Sequence, residues 1–478
     1  MWREEYEDRL ERYAGDEEMA RHPDEHRFHI PEGFSWSDVR RHTTDLGHHL
    51  NEAFAAIEDA NLPLKGIFQD VDFNNKERFP DAVLEKLLQH FETFSLRRAD
   101  VEPDMLGDAY EYLIAKFADD AGKKGGEFYT PKRVVQLIVR CLDPRPGMSI
   151  YDPTAGSGGM LLEAAQHLHD RGENPRSLHL YGQEMNLNTW AICKMNLFLH
   201  DIDDANVERG DTLRNPRHLT DGPLVEPVIR FVAAGEPTRD HRVRGASNTL
   251  LTFDRVLANP PFSLKQWGQE VWKGGDPFGR DLYGTPPKSY GDLAFVQHML
   301  ASLNDRGMLG VVLPHGILFR GGAEAKIRKG MLEADLVEAV IGLAPNLFYG
   351  TGIPACVLIA NRAKSANREG KVLFINGAEE FEPGKNQNRL SEANVDRLVA
   401  AFEGYEDEKG FARVVELEEI GENDWNLNIS RYVAPVIEEE DIDVEAELAK
   451  LVELRKERDE AEGRMLAMLE ELGYGTGA

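Results

Sequence analysis

"YDPTAGSGGMLLEAA", residues 151–165, carries a short apolar run into a strong helix through three glycines within four residues. Asp152 stands where the apolar run ends, and Thr154, Ala155, Gly156, Ser157 and Gly158 form the turn. A turn with so few side chains lets backbone pass close to a ligand, whose charged groups then meet helix-terminal amides. The spacing is not the GxGxxG of dinucleotide folds, and no Gly-Lys-Ser/Thr follows as a phosphate loop requires. A turn of this kind by itself also serves plain packing, so its meaning depends on what surrounds it.

Around it, from about 145 to 376, short apolar runs alternate with helical stretches. "MSIYD" (148–152), "LHLYGQE" (178–184), "FDRVLAN" (253–259), "MLGVVLP" (308–314), "LVEAVIGL" (336–343), "ACVLIAN" (355–361) and "KVLFIN" (371–376) read as strands, and "GMLLEAAQHLHD" (159–170) and "LNTWAICKMNLFLH" (187–200) as helices. That alternation predicts an α/β fold, a doubly wound and mostly parallel sheet covered on both faces. Its ligands are expected at the carboxyl ends of the strands. Residues 1–140 predict an all-helical domain, since 81–94 and 105–120 repeat apolar residues every three or four positions, and "AGKKGGEFYTPKR" (121–133) breaks the pattern with glycines. The α/β domain is placed at 141–435. Residues 436–478 predict a long C-terminal amphipathic helix, with Val444, Leu448, Leu451, Ala461, Met465, Met468 and Leu472 on one side, open to packing on its own domain or on another subunit.

Two further acids sit at strand tips. Glu184 ends the second strand in "YGQEMN", where an acidic side chain of a doubly wound fold accepts hydrogen bonds from ribose hydroxyls. Asp211 ends the next segment in "VERGDTL", within reach of an adenine amino group. Acids at three successive strand tips, without a phosphate clamp, form a cradle for adenosine. They point to S-adenosylmethionine rather than NAD or ATP.

"FDRVLANPPFSL" (253–264) then ends a buried strand on Asn259, Pro260, Pro261 and Phe262. The order "GEFYTP", "DPTAGSGG", "GQE", "GDT", "NPPF" resembles that of amino-group DNA methyltransferases, specifically the modification subunit of type I restriction-modification systems. The likeness runs nearly end to end, taking in "RFHIPEGFSWSDVR" (27–40), "GIFQDVDFNNKERFPDAVL" (66–84), "SYGDLAFVQHML" (289–300) and "WNLNISRYV" (425–433). It implies the seven-stranded S-adenosylmethionine-dependent methyltransferase sheet, acting on adenine N6. It also implies that the segment Glu127, Phe128, Tyr129, Thr130, Pro131 and Lys132 packs on the methionine end of that cofactor, with Phe128 and Thr130 in contact and Glu127 and Lys132 flanking, while Asp152, the turn Thr154–Gly158, Glu184 and Asp211 hold the rest of it. Asn259, Pro260, Pro261 and Phe262 are then the catalytic group, and no metal is expected.

Chemistry explains these residue types. An adenine N6 amine is a poor nucleophile because its lone pair is delocalised into the ring. The Asn259 side-chain oxygen and the Pro260 carbonyl each accept one amino hydrogen, which draws the nitrogen toward sp³ geometry. Proline suits the place because it fixes φ and sits outside any strand ladder. Positioning and electrostatics then carry the step without a general base. The base must leave the duplex, and Phe262 offers a face for stacking. The segment 263–291 interleaves Trp267, Trp272, Phe278, Tyr283 and Tyr290 with Lys265, Lys273, Arg280 and Lys288, and reads as a loop that closes over a flipped nucleotide.

Composition sets the partners. Lys+Arg number 55 and Asp+Glu 84, a net charge of −29, which opposes unaided binding to double-stranded DNA. The acidity equally suits a salt-rich cytoplasm. Together with the resemblance it implies a separate specificity subunit that reads the target, two copies of this chain per specificity subunit, contact through the C-terminal helix, and a restriction subunit that translocates and cuts. Motor and nuclease motifs are absent from this chain. No apolar stretch reaches the roughly 18 residues of a membrane span, and residues 1–15 lack the pattern of a secretory signal, so a cytoplasmic protein is expected. Cys141, Cys193 and Cys356 lie far apart, outside zinc or disulfide spacing, and are expected as buried thiols. No internal repeat is present. Some forty residues separate "GDT" from "NPPF", including 225–245, more than the family's pattern leads one to expect. Two rivals remain at this level: a protein glutamine methyltransferase, which uses a similar Asn-Pro-Pro turn but a shorter chain, and a catalytically idle cofactor-binding scaffold.

Overall fold

The computed structural model describes residues 2–26, 28–69, 71–94, 105–121, 129–220, 249–349, 351–385, 387–434, 444–472 and 474. Among them, the strands in chain order are β1 (Ser149–Asp152), β2 (His179–Glu184), β3 (Asn206–Arg209), β4 (Leu219–Thr220), β5 (Thr249–Leu250), β6 (Phe253–Ala258), β7 (Leu303–Pro314), β8 (Val337–Gly342), β9 (Ala355–Asn361), β10 (Lys371–Asn376) and β11 (Ala412–Glu416). Nine of these form one sheet in the order β11-β10-β8-β9-β7-β6-β1-β2-β3.

The run β3-β2-β1-β6-β7 is parallel throughout. β9 reverses against both β7 and β8, β10 returns parallel to β8, and β11 closes that edge antiparallel. All seven apolar runs identified in the sequence are strands of this sheet. β3, in the segment whose tip was assigned to Asp211, and β11 join them, so the sheet has nine strands where seven were expected. β11 escapes notice because "ARVVE" (412–416) is short and half polar, as an edge strand with one covered neighbour can be.

β8 and β9 are buried along their whole length, because helices cover both faces and a strand between two apolar layers needs no polar side. On the same sheet the helix Lys132–Leu142 packs over β6 and β7, burying Val134, Val135, Leu137, Ile138, Val139, Cys141 and Leu142. Each large apolar side chain so buried contributes about 1.5–3 kcal/mol. One core lies on this face of the sheet and a second on the other, built around Phe253, Val296, Met299 and Phe374. All three cysteines are buried.

The N-terminal helices form a small core of their own around Leu46, Leu84 and Leu88. A second cluster joins Leu64 and Ile67 to Phe198, which follows the second strand, so this region packs directly on the α/β layers. Residues 1–434 make one compact unit and residues 435–478 a second. The second unit contains the helix Val444–Glu471, whose Leu448, Leu451, Met465 and Met468 are exposed. No helix among the described residues is long and apolar enough to cross a membrane. The long connection after Asp211 departs from β4 and returns in β5, which pair antiparallel; residues 221–248 lie outside the described residues.

Strand order decides where a ligand fits. From β1 the chain runs outward through β2 to β3, whereas β6 and β7 build toward the opposite edge. The direction reverses between β1 and β6, and the crevice above their carboxyl ends is the binding place of a doubly wound sheet. Asp152 ends β1, and Asn259 follows β6.

Candidate active site

A cleft opens at that point, with about 630 Å³ of empty space including its mouth. Its floor is the glycine turn. The Ala155 N–H donates to the Gln183 carbonyl at 3.0 Å, and the Gly156 N–H donates to Glu184 Oε2 at 3.1 Å, so the tip of β2 holds the turn from beneath. Gly158 has φ +86°, and a Cβ there would also approach Cys193 Sγ at 3.0 Å. Both the left-handed backbone and the close helix packing therefore require glycine. The helix Gly159–Asp170 begins with no side chain capping its N-terminus, which leaves its positive end directed at the cleft.

Asp152, Glu163 and Glu184, in and under the cleft, are shifted upward. Asp152 is buried and accepts from the Thr154 N–H at 2.9 Å; burial pushes its carboxyl up to about 7. Burial also raises Glu184, against the backbone N–H groups of Asn186 and Gly156 that favour its ionised form. Glu163, in the cleft wall, is raised by burial and held back by the charge of Lys132. Asn196 Nδ2 donates to the Ser157 carbonyl at 2.9 Å, while its buried Oδ1 has no partner.

Asn259 faces this cleft, alongside Gly156, Ser157 and Gly159. Its Nδ2 donates to Thr130 Oγ1 at 2.9 Å, which orients the amide and ties the turn after β6 to the segment preceding the helix Lys132–Leu142. Phe262 is half-buried, its ring 5.8 Å from that of Phe348 at 65°. The Tyr129 ring lies 5.7 Å from Tyr349 at 62°, and burial pushes the Tyr129 hydroxyl up to about 12.

Of the residues expected from sequence, Tyr129, Thr130, Lys132, Asp152, Thr154, Ala155, Gly156, Ser157 and Asn259 line one cleft. Pro131 caps the helix behind it. Gly158 backs the cleft against Cys193, and Glu184 supports the floor through Gly156 rather than lining it. Asp211 lies at its strand tip but is engaged elsewhere: it accepts from the N–H groups of Leu213 and Arg214 and pairs with the Arg214 guanidinium at 3.0 Å. Pro260, Pro261 and Phe262 continue the turn outside the lining. Glu127 and Phe128 lie outside the described residues.

Glu111 and Ile114, from the N-terminal helix Met105–Ala121, also line the cleft, and Glu111 meets Lys132 at 3.3 Å. Nothing in their helical spacing marks them; only the docking of that helix does. Phe348 and Tyr349 were legible in principle, as an aromatic pair between two strands. The segment 263–291 corrects an expectation. Trp267 and Trp272 are 1% and 0% exposed in a core with Leu213, Ala294 and Phe295, and Arg280 is buried, so these are packing residues rather than a platform for a nucleotide. Lys265, Lys273, Lys288 and Tyr290 stay exposed.

Fold and cleft together define an α/β methyltransferase, with the cleft at the strand-order reversal and the Asn-Pro-Pro-Phe turn beside it. The N-6 DNA Methylase family matches residues 101–441, and the HsdM N-terminal domain matches residues 2–91. The sequence is 39% identical to the type I restriction enzyme MjaVII methylase subunit of Methanocaldococcus jannaschii, over 91% of this chain and 72% of that protein. It is 32% identical to the type I restriction enzyme HindI methylase subunit of Haemophilus influenzae, over 89% and 92%. The crystal structure of the type I restriction-modification methyltransferase subunit from Streptococcus thermophilus superposes with a TM-score of 0.72 at 31% identity, over 89% of this chain and 86% of that one. The chain belongs to the N-6 DNA methylase family, as a type I modification subunit, and is an S-adenosylmethionine-dependent DNA adenine-N6 methyltransferase.

Proposed function

We propose that the chain methylates N6 of an adenine extruded from duplex DNA, with Asn259 Oδ1 and the Pro260 carbonyl as the two acceptors of its amino hydrogens. The single observation that carries this reading is the Asn259–Thr130 bond beside the glycine turn. With Nδ2 engaged by Thr130, the oxygen of the same amide is the group left to receive a donor.

The residues present suit S-adenosylmethionine. Among the described residues, the cleft wall holds Glu111, Asp152 and Glu163 against Lys132, which favours a ligand carrying positive charge. The orphaned Asn196 Oδ1 is an acceptor that a ligand N–H or O–H completes. When bound, the cofactor supplies an electrophilic methyl on sulfur. The chain's own part is to bind, orient and polarise. Asp152 and the glycine turn hold the adenosine and methionine portions, and Glu184 keeps the turn in shape. Asn259 and Pro260 align the adenine nitrogen, and Phe262 with Phe348 forms an aromatic wall beside it. Precise placement rather than proton abstraction then lowers the barrier.

Target choice belongs to a separate specificity subunit, docked on the exposed apolar residues of the helix Val444–Glu471, with two copies of this chain per complex and a restriction subunit added for cleavage. A net charge of −29 on this chain supports delegating much of the DNA contact to a partner. The domain limits 1–140, 141–435 and 436–478 go with this division of labour. The test is to sequence DNA for N6-methyladenine from cells expressing the chain with and without its neighbouring gene products. Modified adenines at one recurrent site, only when the chain and a neighbour are both present, are the expected result. Their absence under all combinations removes the reading.

A further inference from the structure

The chain leaves the Asn-Pro-Pro-Phe turn through Ser263, which has φ +53°, a left-handed conformation that residues other than glycine adopt at a cost. Its N–H donates to Asp292 Oδ1 at 2.8 Å. Asp292 opens the helix Asp292–Ala301 and is 1% exposed, yet no side chain caps that helix; this carboxylate instead reaches across to the turn. Its other oxygen accepts from Arg320 Nη2 at 3.2 Å. Arg320 comes from the loop after β7, donates to Glu324 Oε1 at 3.1 Å, and lies with its guanidinium carbon 4.2 Å from the Tyr290 ring centroid. One residue before, the Gly291 N–H donates to the Leu264 carbonyl at 3.0 Å. A Cβ on Gly291 would meet the Trp267 side chain at 2.9 Å, so the approach is as close as the chain allows.

Two adjacent links thus join the exit of the turn to the start of a helix whose Leu293–Leu300 are buried. Asp292 also bridges the loops that follow β6 and β7.

We infer that Asp292, held by Arg320, is a positioning residue for methyl transfer: it sets the backbone angle at which the turn presents Asn259 and Pro260. The inference rests on the reading of Asn259 given above. A residue with this role touches neither adenine nor cofactor, so its loss is felt in the rate at saturation and not in cofactor affinity.

The experiment uses the full-length chain purified together with the neighbouring gene products that give methylating activity. Asp292→Ala is expected to slow single-turnover adenine methylation about 10- to 100-fold, the scale of a displacement of about 1 Å at a reacting group. Its dissociation constant for S-adenosylmethionine, by calorimetry, stays within about twofold of the original. Asp292→Asn keeps an oxygen for the Ser263 N–H and is expected to recover most of the rate. An unchanged rate in Asp292→Ala overturns the inference, as does an equal loss of rate and affinity, or an Asn variant as slow as the Ala variant. If Asp292→Ala does not fold, Arg320→Met carries the test, with slowed transfer at unchanged affinity supporting the role and an unchanged rate overturning it. Asn259→Ala in the same assay separates the two failures. If that variant keeps its rate, the reading of the turn falls and takes the inference with it. If it is inactive while Asp292→Ala is unimpaired, only the inference falls.

Discussion

Two polar clusters lie near each other at the carboxyl ends of the sheet, and they are built on opposite terms. Around Arg280, both Asp276 oxygens accept from the guanidinium at 2.9 and 2.7 Å, the Thr212 and Leu213 carbonyls accept at 3.0 and 2.9 Å, and the Trp272 and Phe278 rings flank it at 4.7 and 5.2 Å. Each of the three nitrogens of that side chain donates to at least one acceptor. In the cleft, Asn196 Oδ1 has none, and Asp152 is buried with a single backbone donor. A buried charge whose partners are complete is architecture. A buried group short of partners, facing open space, is poised for a ligand.

The sharpest way to break this contrast is at Arg280. Arg280→Ala leaves Asp276 charged and buried, and is expected to destabilise the chain by about 3–5 kcal/mol in a urea melt. A loss below about 1 kcal/mol would mean the cluster is no structural anchor. Asn259→Ala is expected to do the reverse, leaving the melt nearly unchanged and lowering the methylation rate on the order of 10²- to 10³-fold at saturating cofactor. Equal losses of binding and rate would move Asn259 out of the chemical step. Glu184→Ala removes the acceptor of the Gly156 and Asn186 N–H groups and is expected to weaken S-adenosylmethionine binding by about tenfold, measured by calorimetry, with the saturated rate kept. Unchanged affinity would show that the floor of the cleft stands without it.

The smallest expected effect is a pH dependence at Asp152. Its carboxyl is raised in the folded chain from an ordinary 3.8 to about 7, so between those values the folded chain holds a proton that the unfolded chain has lost. Its contribution to stability is therefore greatest below pH 4, declines as pH rises toward 7, and is level above that. A cationic ligand favours the ionised carboxylate, so cofactor affinity is expected to rise a few-fold from pH 6 to pH 8 and to be flat in Asp152→Asn. A profile that is the same in both proteins would assign the titration to another group.

Much of the site was legible because its chemistry is local. The glycine turn, the acid at the tip of β1 and the Asn-Pro-Pro-Phe turn are each contiguous, and each needs its residue types at fixed spacing whatever surrounds it. The seven strands were legible for a related reason: strands buried on both faces are written as unbroken apolar runs. Asp211 shows the limit. Its position at a strand tip was readable, but whether its carboxylate faced a ligand or Arg214 was not.

The sequence alone determined the layered α/β class, the family, and the succession of a glycine turn and an Asn-Pro-Pro-Phe turn at strand ends, since these rest on spacing along the chain. Only tertiary structure decided that Glu111 of an N-terminal helix enters the cleft, that Thr130 orients Asn259 from 129 residues away, and that Trp267, Trp272 and Arg280 are core. Those outcomes depend on which partners are close enough to satisfy a polar group or exclude water from a ring. That proximity is set by how helices dock on the sheet, and no local pattern records it.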